Sequence, residues 1–456
     1  MHDRIAAALE SSKADYTEIR LEEREATTVS YRGKSLESAN SVLDAGGIVR
    51  CLCRDGGWGI ATFNDRSDLL ARVEQAYQCA KIVHSKQPIE LAPVPVSRAH
   101  IAANLKRDFR GVSLAEKKAL IESYNNIVLG YSDQIVDTNS SYADSFSHVI
   151  VANSDGAFIK EERPMISVRM GAVARAGGNV QRYGERVSGQ NGFDFVQGRE
   201  DLAQRGAKVA VDLLAAQPVV GGRYPVVCDP ELAGVFIHEA FGHLSESDFV
   251  YEDPKALEMM VLGRRFGGAI LNAFEDGSVP GLRGSHAYDD EGTPTGRADL
   301  IKNGVLVGRL HSRETAAKMG EKPTGNARAM SYRFPPLVRM TNTAIGNGTT
   351  PFADMIKDIK LGIYVCDFYG GNTMMENFSF GSAYAYMIRD GQLAEMVKDV
   401  ILAGNLFTTL TNIDAIGDDF VWSQRGGACG KAGQNGLPVT AGAPHIRIQD
   451  VIIGGK

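Results

Sequence analysis

Two histidines five residues apart, His238 and His243 in the run His-Glu-Ala-Phe-Gly-His, place the tightest constraint on how this 456-residue chain can fold. Paired histidines that serve one metal ion from a regular α-helix stand four apart with a glutamate between them, so that both rings leave the same face. At about 100° per residue, a spacing of five turns the second side chain by roughly 140° from the first, and a straight helix cannot aim both at one point. The helix must bend, bulge or end between them. Gly242 sits where that distortion has to fall, and glycine accepts backbone angles that other residues resist. Upstream, Asp229 suits an N-cap, Pro230 the first helical position and Glu231 the positive end of the dipole. Leu232, Val235, Phe236 and Glu239 follow at helical spacing.

The run does not complete a site by itself. A lone histidine on an apolar helix is more often a hydrogen-bonded core residue than a ligand, and catalytic zinc needs three protein ligands with water at the fourth position. His2, His84 and His100 lie in the N-terminal segment, while His148, His286, His311 and His445 are scattered among strand-like stretches. Cys51, Cys53, Cys79, Cys228 and Cys366 fall in apolar patterns, where cysteine is ordinarily a small buried hydrophobe. Cys429 differs. It stands in a glycine-dense run, Arg425 to Gln434, with no apolar periodicity. The run reads as a loop in which the thiolate faces an ion and nearby Lys431 favours its charge.

With these residues in view, the chain resembles the TldD members of the TldD/PmbA metallopeptidases, which carry His-Glu-x-x-x-His on a kinked helix and a cysteine in a late Gly-x-Cys-Gly-Lys segment. His238, Glu239 and His243 match the first motif, and Gly427-Ala428-Cys429-Gly430-Lys431 the second. Glu246 and Asp248, the turn Asp289-Asp290-Glu291-Gly292, Thr324-Gly325-Asn326 and Arg339-Met340-Thr341-Asn342-Thr343 match further signatures, so the likeness is strong over 222–456. It is weaker upstream, at Gly46 to Arg50 and Gly57-Trp58-Gly59. The PmbA-like, or TldE-like, subunits lack the zinc motif, and this chain keeps every ligand position, which implies the catalytic type.

The resemblance implies one zinc ion held by His238, His243 and Cys429. Glu239, next to the first ligand, would take the proton of the attacking water and pass it to the leaving amine. Glu246 and Asp248 either orient a ligand ring through its second nitrogen or are solvated turn residues. Asp289, Asp290 and Glu291 could bind a substrate amine or simply start the hairpin that follows. Arg339 and Asn342 could hold substrate backbone or structural carbonyls.

Length exceeds what one core usually supports, so two or three units are expected. Boundaries are placed at 1–84, 101–217 and 222–456, with the proline-bearing stretch 85–100 as a linker and Pro218 with Gly221-Gly222 closing a helix from about Arg199 to Ala216. Ser67 to Lys81 reads as an amphipathic helix, and Ser113-Leu114-Ala115-Glu116 as a capping box opening another. Asn153-Ser154-Asp155-Gly156, Asn303-Gly304 and Asp390-Gly391 mark tight antiparallel turns, and Thr350-Pro351 opens a helix carrying Met355, Ile356 and Ile359. The fold class is therefore α+β, with a mixed N-terminal half and a mainly antiparallel, barrel-like C-terminal half that carries the kinked helix.

The net charge of −6 shows no nucleic-acid surface, no apolar run approaches a membrane span, and six cysteines without CxxC pairs suit a reducing cytoplasm. The expected activity is a zinc-dependent peptidase acting on extended or unfolded peptides and small proteins, whose backbone could pair with exposed sheet edges. By resemblance it would form a two-fold dimer around an enclosed site, with itself or with a PmbA/TldE-like subunit. Two rival readings share the motif: a zinc amidase or deacylase acting on a small molecule, and a non-enzymatic peptide-binding module with structural histidines.

Overall fold

A computed structural model of the chain describes residues 1–83, 87–374 and 376–454. Long alternating strands build the first half. Seven of them form one sheet, running Trp58–Phe63, Ser35–Leu52, Tyr16–Arg32, Ile135–Asn153, Phe158–Ala176 and Arg98–Ile101, with Asn179–Gly189 paired to Phe158–Ala176. All neighbours are antiparallel except the short Arg98–Ile101 strand. Period-two alternation sends Val29, Tyr31, Tyr142, Ile166, Val168, Met170 and Val187 to one face, where the helices Leu114–Leu129 and Glu200–Ala215 cover them. Near the other end of the sheet, the helix Leu69–Ile82 packs Val73, Ala76 and Ala80 against Cys51 and Ala61.

Local sequence set these helix starts. Ser113 accepts the Glu116 N–H and Asp68 that of Ala71, each satisfying a first-turn donor that has no partner inside its helix. The expected linker is irregular from 87 to 97 and then adds the strand Arg98–Ile101, while its first residues, 85–86, and His84 before them lie outside the described residues.

The second half holds two large sheets around the largest core and a separate two-stranded pair, Ala327–Arg328 with Leu337–Val338. In one, Leu361–Met374, Gly222–Cys228, Ile446–Gly454, Ile401–Asn405 and Asn377–Arg389 pair in turn, and Asn377–Arg389 pairs back to Leu361–Met374, closing a ring. In the other, Arg297–Lys302, Ala273–Asp276, Asn342–Ile345 and Gln434–Ala443 lie side by side, and Gly427–Lys431 folds back on Gln434–Ala443. Most contacts are antiparallel, as expected. Asn303 and Gly304 have φ of 50° and 77°, and Asp390 and Gly391 47° and 76°, which are the left-handed pairs a two-residue hairpin turn requires. The helix expected after Thr350-Pro351 is short, Phe352–Ile356, and buries Met355 and Ile356 with Ile359 just beyond it. Among the described residues no helix is long and apolar enough to cross a membrane.

Candidate metal centre

The helix Pro230–Ile237 begins as its sequence dictates, with Asp229 accepting the Leu232 N–H at 2.8 Å. Leu232, Ala233, Phe236 and Ile237 bury its apolar side in the core between the two C-terminal sheets. Gly234 lets it sit close to the strand Gln434–Ala443, since an added Cβ would meet the Ala441 Cβ at 3.1 Å.

From His238 to Gly242 the helix widens into a single π turn, in which the His243 N–H reaches back to the His238 carbonyl. That i→i+5 pairing stacks residues five apart on one side, so the spacing that a regular helix forbids becomes the spacing this turn needs. The two rings stand 5.2 Å apart, centroid to centroid, at 83° to each other. The reason for glycine at 242 differs from the expected one. Its φ of −57° and ψ of −51° are ordinary helical values. A Cβ there would instead overlap the sulfur of Met340, a fully buried side chain. Gly242→Ala is accordingly expected to destabilise the fold by ~1–3 kcal/mol through overpacking. Denaturant titration checks this, and an unchanged midpoint would remove Met340 as the constraint.

Cys429 lies not in a loop but in the strand Gly427–Lys431 of a hairpin with Gln434–Ala443. Glycines on either side carry no side chain to display the alternation, which is why the strand was illegible; yet Cys429 is buried while Ala428 and Gly430 face out. Its Sγ is 3.4 Å from His243 Nε2. One donor atom each from His238, His243 and Cys429 lies within 4.8 Å of the others. Ligand atoms around tetrahedral zinc sit ~3.4–3.7 Å apart, so the three side chains need to close by only ~1 Å to hold such an ion. His238 Nδ1 is buried without a hydrogen-bond partner among the described residues, a state that buried polar atoms rarely keep unless something else engages the ring. The residues fit a divalent metal of the zinc type.

The surrounding groups fix these donors. His243 Nδ1 faces Glu246 Oε2 at 3.2 Å, leaving Nε2 toward Cys429. Burial disfavours charge on His243, but hydrogen bonds with Cys429 and Glu246 outweigh it and push the ring up to about 10. A metal binds neutral imidazole, so a cation here competes with that proton. Burial also opposes charge on Glu246, yet His243 and Lys431 hold it below its usual range. His238 is driven well below the ordinary histidine value, first by burial and then by His243 and Arg339.

Lys431 does not support the Cys429 sulfur as expected. It turns to Glu246 at 3.1 Å and Asp248 at 2.6 Å, tying the end of the cysteine strand to the segment after the bulge. Among the described residues Asp248 bonds to neither histidine; besides Lys431 it accepts the N–H of Val338 at 3.3 Å and of Phe249 at 2.9 Å. Glu246→Gln should weaken metal binding about 10–100-fold, the usual range for a residue that orients a histidine ligand. Competition with a chromogenic chelator measures it, and an unaltered affinity would reduce Glu246 to a structural acid.

Glu239 occupies the open side. Its carboxylate lies 3.9 Å from His243 Nε2 with the side chain 29% exposed. Burial raises its pKa and Glu246 adds to the rise, against the pull of His243.

The other expected site residues are structural. Asp289 accepts the N–H groups of Glu291, Thr293 and Ala327 at 2.8–3.0 Å. Asp290 pairs with Arg20 at 3.3 Å and Arg163 at 2.9 Å, and Glu291 with Arg50 at 3.0 Å and the Arg313 N–H at 3.0 Å. The acidic turn thus clamps the N-terminal sheet to the C-terminal half and offers no free carboxylate to a substrate amine. Asn342 donates to the Asp276 carbonyl and Ser285 Oγ. Arg339 is wholly buried and donates to the Cys429 carbonyl at 2.8 Å, holding the strand that carries the thiol. Arg283, which the sequence did not single out, does the same for the Gly427 carbonyl at 3.0 Å.

A bulged helix and a distant strand bring two imidazoles, a thiol and an adjacent carboxylate together as a donor set that could hold a metal ion. Comparison with known proteins gives the family. Models of the PmbA/TldA metallopeptidase domains match residues 17–80 (domain 1), 107–214 (central domain) and 221–455 (C-terminal domain), and the chain belongs to this family. A metalloprotease from Synechocystis is 48% identical over 97% of this chain and 96% of its own. One from Methanothermobacter thermautotrophicus is 35% identical over the same shares. The crystal structure of TldE from Thermococcus kodakarensis superposes over the full length of both chains with a TM-score of 0.77 at 18% identity, a likeness of fold.

Proposed function

We propose that the protein is a zinc-dependent peptidase of extended or unfolded peptides, with His238, His243 and Cys429 as ligands and Glu239 as general base. The observation that carries this reading is the convergence of three metal-type donors within 4.8 Å beside a partly exposed carboxylate, in a chain of a metallopeptidase family. Zinc in that position supplies Lewis acidity, acidifying water and polarising a carbonyl. Glu239 takes the proton from the attacking water and delivers it to the leaving amine. Glu246 holds the His243 ring in one orientation, and Arg339 holds the Cys429 backbone.

The substrate class is supported by access. His238 is only 5% exposed and Cys429 4%, while Glu239 and His243 are 29% and 28% exposed, which favours a narrow, extended substrate over a folded surface. Family membership supports pairing with a second copy or with a TldE-type subunit, and six unpaired cysteines support a reducing, cytoplasmic setting. The reading is tested by turnover of denatured casein before chelation, after it, and after zinc is restored. Loss followed by recovery is expected. Turnover that ignores chelation contradicts the metal role, and cleavage of small acyl-amides with casein left intact would move the activity to a small-molecule amidase.

A further inference from the structure

An arginine cluster beside the cysteine strand has no part in the chemistry above. The strands Phe158–Ala176 and Asn179–Gly189 set Arg169 directly opposite Arg186, and both side chains are exposed. Like charges directly opposite each other destabilise an antiparallel pair. Neighbouring Arg163 and Arg425 are neutralised by Asp290 and Asp367, but Arg169 and Arg186 form no ion pair among the described residues. They line a cavity of about 1180 Å³ together with Tyr183 and Tyr369.

Hydrogen bonds link the cluster to the cysteine strand. Ser188, two residues beyond Arg186 on the same face of its strand, accepts a hydrogen bond from Arg283, whose Nε donates to the Gly427 carbonyl two residues before Cys429. Burial first, and then repulsion from Arg186 and Arg24, bring the Arg283 guanidinium down to about 10, and among the residues lining the cavity arginines outnumber acids six to four. In a chain of net charge −6, such an excess is local and directional.

We propose that Arg169 and Arg186 receive the acidic side chains of a peptide whose scissile bond lies at the His238, His243 and Cys429 centre, so that the preferred substrates are extended peptides rich in Asp and Glu. This rests on the peptidase reading. Arginine suits the task because its fork binds carboxylates through two parallel hydrogen bonds, and several such pairs along one strand select for acidic sequence without reading each residue.

The test uses the full-length, zinc-loaded Glu239→Gln protein, so that peptides are bound without being cut, and follows fluorescence anisotropy of labelled twelve-residue peptides. One has Glu at alternate positions, a second has Gln there, and both are C-terminally amidated; a third is the Gln peptide with a free C-terminus. The Glu peptide is expected to bind about tenfold tighter than the amidated Gln peptide, with the advantage shrinking as salt rises. Arg169→Gln with Arg186→Gln should abolish the preference, and Arg169→Lys with Arg186→Lys should retain most of it, separating lost charge from a damaged fold. Equal binding of Glu and Gln peptides, a preference that survives the double glutamine change, or an advantage confined to the free C-terminus would each overturn the proposal. So would competition by an unlabelled oligonucleotide with no Glu preference, which would assign the arginines to a phosphate polymer. Parallel turnover by the zinc-loaded wild type keeps the two ideas apart: a Glu preference in binding with neither peptide cleaved sinks the peptidase reading and leaves the acidic-peptide site standing.

Discussion

Glu239→Gln is expected to lower peptide turnover by a factor of about 10²–10⁴ while leaving metal content unchanged, because a positioned general base contributes a factor of that order. Glutamine preserves size and hydrogen-bonding reach but cannot accept a proton. Glu239 is also the acidic residue on the open side of the cluster, 3.9 Å from His243 Nε2, whereas Glu246 lies behind the ring, engaged with His243 Nδ1 and Lys431. Partial burial raises the Glu239 pKa, which makes the carboxylate a stronger base than an exposed glutamate. Steady-state kinetics and metal analysis on one preparation check both halves. Turnover that persists near the wild-type rate would move the proton transfer to another group, and turnover lost together with the metal would make Glu239 a ligand.

Cys429→Ser should weaken zinc binding by more than the 10–100-fold expected for supporting residues, with the fold retained. A serine hydroxyl does not ionise near neutrality as a thiol ligand does, so the change removes the one anionic donor of the set. The fold should survive because the strand is held independently. Arg339 and Arg283 bind the Cys429 and Gly427 carbonyls, and the hairpin register with Gln434–Ala443 runs through the backbone. Isothermal titration with zinc, paired with thermal unfolding of the metal-free protein, reads the two effects separately. Undiminished zinc affinity would mean that the third ligand is another residue.

What was legible in the sequence was mostly local. The five-residue spacing demanded a distorted helix and the structure has a π turn at that place, because side-chain direction is fixed by backbone pairing within a few residues. The turns at Asn303-Gly304 and Asp390-Gly391, and the caps at Asp229 and Ser113, are likewise set by neighbours. What failed was non-local. Gly242 was read as a backbone hinge, but its constraint is Met340, a contact from a different strand region. The Asp289-Asp290-Glu291 turn was left open between an amine site and the start of a hairpin, because its partners Arg20, Arg50 and Arg163 come from strands that no spacing rule connects to it. Lys431 stands two residues from Cys429 and was assigned to it by proximity along the chain. The hairpin register shifts between Cys429 and Gly430, breaking the alternation, and Lys431 turns to Glu246 and Asp248 instead. The opposed Arg169 and Arg186 were invisible for the same reason, since their confrontation exists only in the register of two strands.

The most direct measurement is X-ray absorption at the zinc edge of the metal-loaded, full-length protein. One sulfur at ~2.3 Å together with nitrogen at ~2.0–2.1 Å is expected, and the sulfur signal should vanish in Cys429→Ser. A shell of nitrogen and oxygen alone in the wild type would contradict an ion shared between the bulged helix and the Gly427–Lys431 strand.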